Sequence, residues 1–214
     1  MRIPQPEGVR GSLKWIQKLV ASGETDWLPE HLKDVDWASP LPDDDWAEYR
    51  DSSFLDCVGQ SALTEQLRDF WPARGPQWDA LGRLNGVPVL VEAKAHVREF
   101  FSPATQASST SRQKILRAFC QAAPDFGSDT PERWANLYFQ YANRLAHLWF
   151  FHHYGIQAHL LFVSFLDDAD MNGPSLSETW HASFTAADYA LGIRRNALSK
   201  NYVSHAMPSV TDIK

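Results

Sequence analysis

The sequence predicts an α/β fold in which helices flank a mixed sheet, and three observations support this class. The chain has 214 residues, of which 44% are hydrophobic, enough for one domain with a substantial core. Apolar runs at helical spacing alternate along the chain with short strand-like runs. The dipeptide Asn85-Gly86 joins two of those strand-like runs and is a strong hairpin signal.

Charge and cysteine content exclude several classes of protein. A net charge of −6 is unlike that of a protein that coats nucleic acid nonspecifically, although it permits a local basic groove. Cys57 and Cys120 match neither a disulfide framework nor a zinc site. The N-terminus lacks the apolar region of a signal peptide, and the most apolar tract, 145–166, is too polar to span a membrane. We therefore expect a soluble, cytoplasmic protein with no membrane partner.

The chain is predicted to divide into an aromatic-rich N-terminal segment, 1–58, and an α/β domain, 59–214. The N-terminal segment alternates short helices, one of them near 13–21, with connections that are rich in Trp, Pro and Asp. It carries little recognisable chemistry, so we expect it to cap the domain.

The α/β domain begins with a helix and a hairpin. Apolar residues recur at helical spacing from Ser61 to Trp71, and Pro72 ends that helix. Strand-like runs follow at 77–84 and 87–95. A loop rich in Ser, Thr and Pro then leads to a basic amphipathic helix at 111–122.

The second half of the domain contains a long helix and a buried strand. Aromatic residues and leucines form one stripe of a helix over 132–154, which ends at Gly155. The apolar run 158–166 predicts a buried strand, and a further helix is expected at 186–192. No internal repeat is visible, which agrees with a mixed α/β core.

The hairpin register predicts which side chains meet. With Asn85 and Gly86 as the loop, paired residue numbers sum to 171, so Asp79 faces Glu92. Lys94 lies on the same face, because side chains alternate along a strand. The two carboxylates would have Cβ atoms roughly 4.5 to 5.5 Å apart, which destabilises a sheet unless something compensates their repulsion. The opposite face is expected to be apolar and to carry Trp78, Ala80, Val89, Val91 and Ala93.

A divalent cation between Asp79 and Glu92 would reverse this repulsion, since Mg²⁺ prefers hard oxygen ligands. Lys94 would then donate to a bound anion or position a water. These three residues therefore predict a metal and phosphate site on a largely apolar strand. The alternative is an edge hairpin whose exposed face carries the charges, with Lys94 neutralising the carboxylates.

The pattern of Asp79 followed by Glu92-Ala93-Lys94 resembles the PD-(D/E)xK nuclease superfamily over residues 59–166. The resemblance implies a restriction-endonuclease-like core, with Asp79, Glu92 and Lys94 as catalytic residues. It also implies Mg²⁺, or alternatively Mn²⁺, bound by Asp79 and Glu92. Glu65 on the preceding helix would complete the metal shell, or would be a solvated helix glutamate. The strings VEAKAH and FQYANRLAHL resemble an uncharacterised bacterial family, which implies no substrate.

Gln140, Asn143 and Arg144 form a polar stripe on the long helix, together with His147. In some branches of the superfamily a Gln-containing helix lies beside the active site, although Gln140-x-x-x-Arg144 departs from the usual Gln-x-x-x-Tyr. We predict that this stripe binds substrate, because an arginine fork suits a phosphate. A solvated helix face is the alternative.

The resemblance implies metal-dependent hydrolysis of nucleic acid, with DNA as the favoured substrate, and it is compatible with a homodimer. The competing class is a non-catalytic binding or interaction protein that retains the nuclease fold. The two classes differ in whether a divalent ion binds between Asp79 and Glu92.

Overall fold

A five-stranded mixed sheet forms the centre of the fold. The structure is a computed structural model that describes residues 1–194 and 196–213. The strands are β1 (Arg2–Ile3), β2 (Asp36–Ser39), β3 (Glu48–Tyr49), β4 (Ala80–Leu84), β5 (Val87–Lys94), β6 (His159–Ser164) and β7 (Val203–Ala206). The α-helices are α1 (Gly11–Ser22), α2 (Ser52–Cys57), α3 (Thr64–Phe70), α4 (Val97–Phe100), α5 (Ser109–Ala122), α6 (Pro131–Trp134), α7 (Phe139–His153), α8 (Ser177–Leu191) and α9 (Ala197–Tyr202).

The predicted hairpin register is confirmed by the pairing of β4 with β5. Leu84 lies opposite Val87 and Ala80 lies opposite Val91, so each pair of numbers sums to 171. Asn85 and Gly86 have φ angles of 52° and 82°, the positive values that a two-residue type I′ turn requires. The strands are shorter than the predicted runs, and Asp79 stands immediately before β4.

The hairpin lies inside the sheet, whose strand order is β2-β4-β5-β6-β7. β5 is therefore the central strand. β6 runs parallel to β5, and β7 runs parallel to β6. Val89 and Val91 belong to one buried cluster and Leu90 to the other, so both faces of β5 are covered. The alternative of an exposed edge hairpin is therefore wrong.

The N-terminal segment contributes directly to this sheet. β2 pairs antiparallel with β4, and Ile16 and Leu19 of α1 are buried in the cluster that holds Val89 and Val91. The short strands β1 and β3 form a separate two-stranded sheet. Residues 1–58 are thus joined to the predicted α/β domain through an edge strand and a packed helix.

The long helix and the last predicted helix differ most from the structure in their bounds. The long helix is divided, because Tyr138 adopts a left-handed φ of 45° between α6 and α7. There the backbone N–H of Gln140 donates to Ser102 Oγ at 2.8 Å, which anchors the start of α7 to the loop after α4. The helix predicted at 186–192 is the end of α8, which begins at Ser177.

None of the helices within the described ranges has the length and apolar composition that crossing a bilayer requires.

Gly82 allows β2 to approach β4 closely. A Cβ at this position would lie 2.6 Å from Val35 Cγ2 and 3.1 Å from the Asp36 carbonyl oxygen. We expect Gly82→Ala to lower the free energy of unfolding by about 1 to 3 kcal/mol, as overpacking of a core does. Urea unfolding measures this change, and a variant as stable as the wild type would show that β2 moves aside at little cost.

Candidate active site

A cleft of about 770 Å³ opens beside the carboxyl end of β5. This volume lies within the range of about 300 to 1,000 Å³ that small-molecule sites occupy. Its walls are the segment 71–77, the loop 102–108 and the first turns of α7. All but one of the residues predicted to act in catalysis, metal binding or substrate binding line it: Asp79, Glu92, Lys94, Gln140, Asn143 and Arg144.

Asp79 is held against β5 by a backbone hydrogen bond. Its Oδ2 accepts from the N–H of Ala93 at 2.7 Å, which places the carboxyl group beside Glu92 as the register predicts. Burial, together with the charge of Glu92, raises the pKa of Asp79 to about 8. Lys94 offsets this only in part, because its ammonium pairs with Glu92.

Glu92 is buried, with 4% of its surface exposed, and both of its oxygens are paired. Arg144 Nε donates to Oε2 at 2.6 Å, and the Lys94 ammonium donates to Oε1. Burial opposes ionisation, but Arg144 and Lys94 outweigh it and hold the pKa of Glu92 below its ordinary value. Burial likewise opposes the charge of Lys94, whereas Glu92 and Asp79 raise its pKa above the ordinary value. Glu92 is therefore an anion and Lys94 a cation at neutral pH.

Arg144 connects α7 to the site through all three of its guanidinium nitrogens. Besides Glu92, it donates to the Gln77 carbonyl at 2.8 Å and to Asn143 Oδ1 at 2.7 Å. The guanidinium also lies 4.8 Å from the centre of the Trp78 ring. Because these contacts occupy most of its donors, Arg144 chiefly positions Glu92.

The polar stripe of α7 is mostly buried. Asn143, Arg144 and His147 are at most 6% exposed, so the alternative of a solvated face is wrong for them. Gln140 is exposed at the rim of the cleft, where its side chain is available to a substrate.

Trp78 lies on a different face from the one predicted. It is fully buried in the cluster that contains Leu81 and Leu90, away from Ala80 and Val91. Its backbone N–H donates to the carbonyl of Tyr49, so Trp78 pairs with a residue outside the hairpin before the chain enters β4. The alternation of the strand therefore does not extend back to residue 78.

Glu48 is a site residue that sequence reasoning missed. Its side chain lines the cleft, where it accepts from the Gln77 side-chain amide and from Gln5 Nε2 at 3.4 Å. Burial, with a contribution from the charge of Glu92, raises the pKa of Glu48. Glu48 belongs to the two-residue strand β3, which has no recognisable motif, so no local signal pointed to it.

Glu65 is not brought to the site. Its carboxylate is 77% exposed and pairs with Arg68, one turn later on α3, at 2.6 Å. It does not line the cleft that holds Asp79 and Glu92. The third carboxylate of the cleft is Glu48, and Glu65 is a solvated helix glutamate.

The donor set suits one class of metal ion. In the part of the chain that the structure describes, no group of three or more His, Cys, Asp or Glu side chains forms a ready metal cage. Mg²⁺ does not need such a cage, since one or two carboxylates commonly hold it with waters and substrate phosphates. Asp79 fits this role, because only one of its oxygens is bonded to Ala93, and Glu92 lies next to it.

The charges that line the cleft are balanced unless a divalent cation is bound. Glu48, Asp79 and Glu92 provide three negative charges when ionised, and Arg74, Lys94 and Arg144 provide three positive charges, so the two sets cancel. A divalent cation would change the net charge of the cleft from 0 to +2. The cleft would then attract an anion such as a phosphodiester.

No family model, curated protein or solved structure matches this chain. The mixed sheet flanked by helices is established by the structure itself. A restriction-endonuclease-like core and membership of the PD-(D/E)xK superfamily stay predictions. What the protein does must therefore be inferred from the chemistry of the cleft.

Proposed function

We propose that this protein is a metal-dependent nuclease that hydrolyses phosphodiester bonds in nucleic acid, with DNA as the favoured substrate, through a PD-(D/E)xK-type site. The observation that supports this most is Asp79, a carboxyl group with a raised pKa that lies beside Glu92 in the same cleft as Lys94. Two such carboxylates repel each other, and a bound divalent cation would remove that repulsion.

Asp79 and Glu92 would hold Mg²⁺ or Mn²⁺, and Glu48 adds negative charge nearby. The bound ion supplies orientation of the scissile phosphate, a lower pKa for an attacking water and stabilisation of the leaving oxygen. Arg144 acts through Glu92, whose carboxylate it orients from α7. Gln140 and Asn143 stand where they can contact the nucleic acid backbone.

Lys94 is assigned the role of a hydrogen-bond donor. Its raised pKa keeps the ammonium protonated at neutral pH, so it does not accept the proton of the attacking water. An ammonium has three N–H donors, and the bond to Glu92 uses one of them. The others can orient the water or stabilise negative charge that develops on the phosphate.

The first experiment is a calorimetric titration of Mg²⁺ and Mn²⁺ into the protein, with cleavage of single- and double-stranded DNA and RNA measured on the same preparation. We expect metal binding, and cleavage that EDTA abolishes. If no metal binds even when nucleic acid is present, the proposal is wrong.

Replacement of Lys94 separates metal binding from catalysis. We expect Lys94→Met to bind Mg²⁺ and to lose cleavage by about a hundredfold or more, the usual contribution of a positioned proton donor or stabilising group. The matched control is Lys114→Met, because Lys114 donates to the Arg68 carbonyl outside the cleft. The control should cleave at the wild-type rate, and full activity in Lys94→Met would remove Lys94 from the mechanism.

A second candidate is a non-catalytic binding protein. The observation that favours it is the pairing of both Glu92 oxygens with Lys94 and Arg144, which satisfies this carboxylate without a metal. Nucleic acid binding that is independent of divalent ions, without cleavage, would select this candidate.

A further inference from the structure

A second cavity, of about 400 Å³, adjoins the cleft. The two spaces share a common wall, which consists of Trp71, Pro72, Ala73, Gly75 and Pro76. The second cavity is mostly apolar, and its aromatic walls include Phe54 and Trp71. Its charged residues are partly exposed: Asp51 accepts from the N–H of Gly75, and Arg68 pairs with Glu65.

His147 gives this cavity one defined polar atom. Its Nδ1 lies 2.8 Å from the Asn143 carbonyl oxygen, an arrangement that places the ring proton on Nδ1 and makes Nε2 an acceptor. Burial lowers the pKa of His147 to about 3, so the imidazole is neutral. The Trp71 ring centre lies 4.8 Å away, and that of Phe54 lies 6.2 Å away. The wall around His147 thus suits a neutral aromatic ring with an N–H donor better than it suits a phosphate.

The cavity and the cleft are close enough to bind parts of one molecule. His147 follows Arg144 by three residues on α7, which is about 4.5 Å of helix rise. The cleft contains the carboxylates and cations of the candidate site. In the second cavity the charged residues Asp51 and Arg68 are already paired, and most of the other walls are apolar or aromatic. A nucleotide combines the two matching chemistries, an anionic phosphate and a neutral aromatic base.

We propose that the second cavity accepts an unstacked nucleobase next to the phosphate that the cleft binds, so that the preferred substrate is single-stranded. This inference rests on the proposed function for the phosphate site. A base within a duplex would have to leave its stack and its partner, at a cost of a few kcal/mol, whereas an unpaired base enters more readily. Aromatic stacking tolerates every base, so the cavity would favour unpaired strands without requiring a particular sequence.

The test is a substitution that places a large side chain inside the second cavity. Ser52, the first residue of α2, lines the second cavity and not the cleft, and Ser53 lines neither. Ser52→Phe therefore adds bulk inside the cavity, and Ser53→Phe is the matched control on the same helix. Fluorescence anisotropy measures binding of a labelled single strand of about twelve nucleotides, within the usual site size of single-strand binding domains. The strand is either intact or carries an abasic site at each position in turn, and binding is measured in Ca²⁺ and again in EDTA.

We expect one abasic position to weaken wild-type binding by about tenfold, the scale of one stacked base. Ser52→Phe should bind the intact strand about tenfold more weakly and should lose this sensitivity, whereas Ser53→Phe should match the wild type. A flat abasic profile in the wild type, or an unchanged profile in Ser52→Phe, would overturn the inference. Metal-dependent cleavage restricted to duplexes would also overturn it while leaving the nuclease proposal intact. An abasic-sensitive profile without any cleavage would support the cavity and remove the nuclease.

Discussion

The Asp79→Asn protein should unfold at a higher temperature than the wild type at pH 8 in EDTA. Its metal-dependent cleavage should fall by about a hundredfold to a thousandfold, the scale on which loss of electrostatic stabilisation acts. Both effects follow from the carboxylate charge. In the metal-free protein this charge faces Glu92, and in the proposed enzyme it holds the cation. Asparagine keeps an oxygen that can accept from Ala93 and removes the charge.

The stability effect has a defined dependence on pH. Burial raises the pKa of Asp79 from 3.8 to about 8, so the folded chain keeps a proton that the unfolded chain releases between these values. Stability from this group is fully present below about pH 4 and is lost as pH rises towards 8. Because the asparagine of the variant does not titrate, the variant should escape this loss.

The expected gain at pH 8 is at least about 2 kcal/mol, since each unit of pKa difference is worth about 1.4 kcal/mol. This corresponds to a rise of about 4 to 8 °C in Tm for a chain of this size. Thermal unfolding followed by circular dichroism at about pH 5 and again at pH 8 measures it. Asp69→Asn, on the exposed surface of α3, is the control and should change neither Tm nor cleavage. A Tm equal to that of the wild type at pH 8 would contradict the assigned burial of the charge.

Arg144→Met is the substitution that should destabilise the fold most, by about 3 to 5 kcal/mol, which is the usual cost of removing one partner of a buried ion pair. The variant leaves Glu92 buried with Lys94 as its remaining cationic partner. It also removes the donors to the Gln77 carbonyl and to Asn143. Methionine retains much of the side-chain volume, so the effect reports the loss of charge and hydrogen bonds.

Urea unfolding at about pH 7 tests this prediction with two comparisons, at a pH where Glu92 is ionised. Arg144→Lys keeps the charge but cannot reproduce the fork of donors, so its loss of stability should be intermediate. Gln140→Ala, one turn earlier on α7 and exposed, should change stability by less than about 0.5 kcal/mol. Equal stabilities of Arg144→Met and Gln140→Ala would show that Arg144 does not anchor the site.

The turn sequence and the alternation of side chains along the strands predicted the residues at the centre of the site. Asn85-Gly86 predicts a two-residue loop. Because side chains on a strand alternate between its two faces, this loop places Asp79, Glu92 and Lys94 on the same face. The structure confirms this register and shows Asp79 bonded to the backbone between Glu92 and Lys94. These relations lie within 16 residues of one another, counting from 79 to 94, which is why local rules were sufficient.

By itself, then, the sequence determined the hairpin, its register and the pairing of two carboxylates with a lysine. Only the tertiary structure decided that β5 is central, that Glu48 enters the cleft while Glu65 stays in solvent, and that Arg144 is buried against Glu92. These outcomes depend on contacts between residues far apart in the chain, such as the 52 positions that separate Glu92 from Arg144. Helical periodicity shows that a polar stripe exists, but the packing of α7 against the sheet determines whether that stripe meets water or a buried carboxylate.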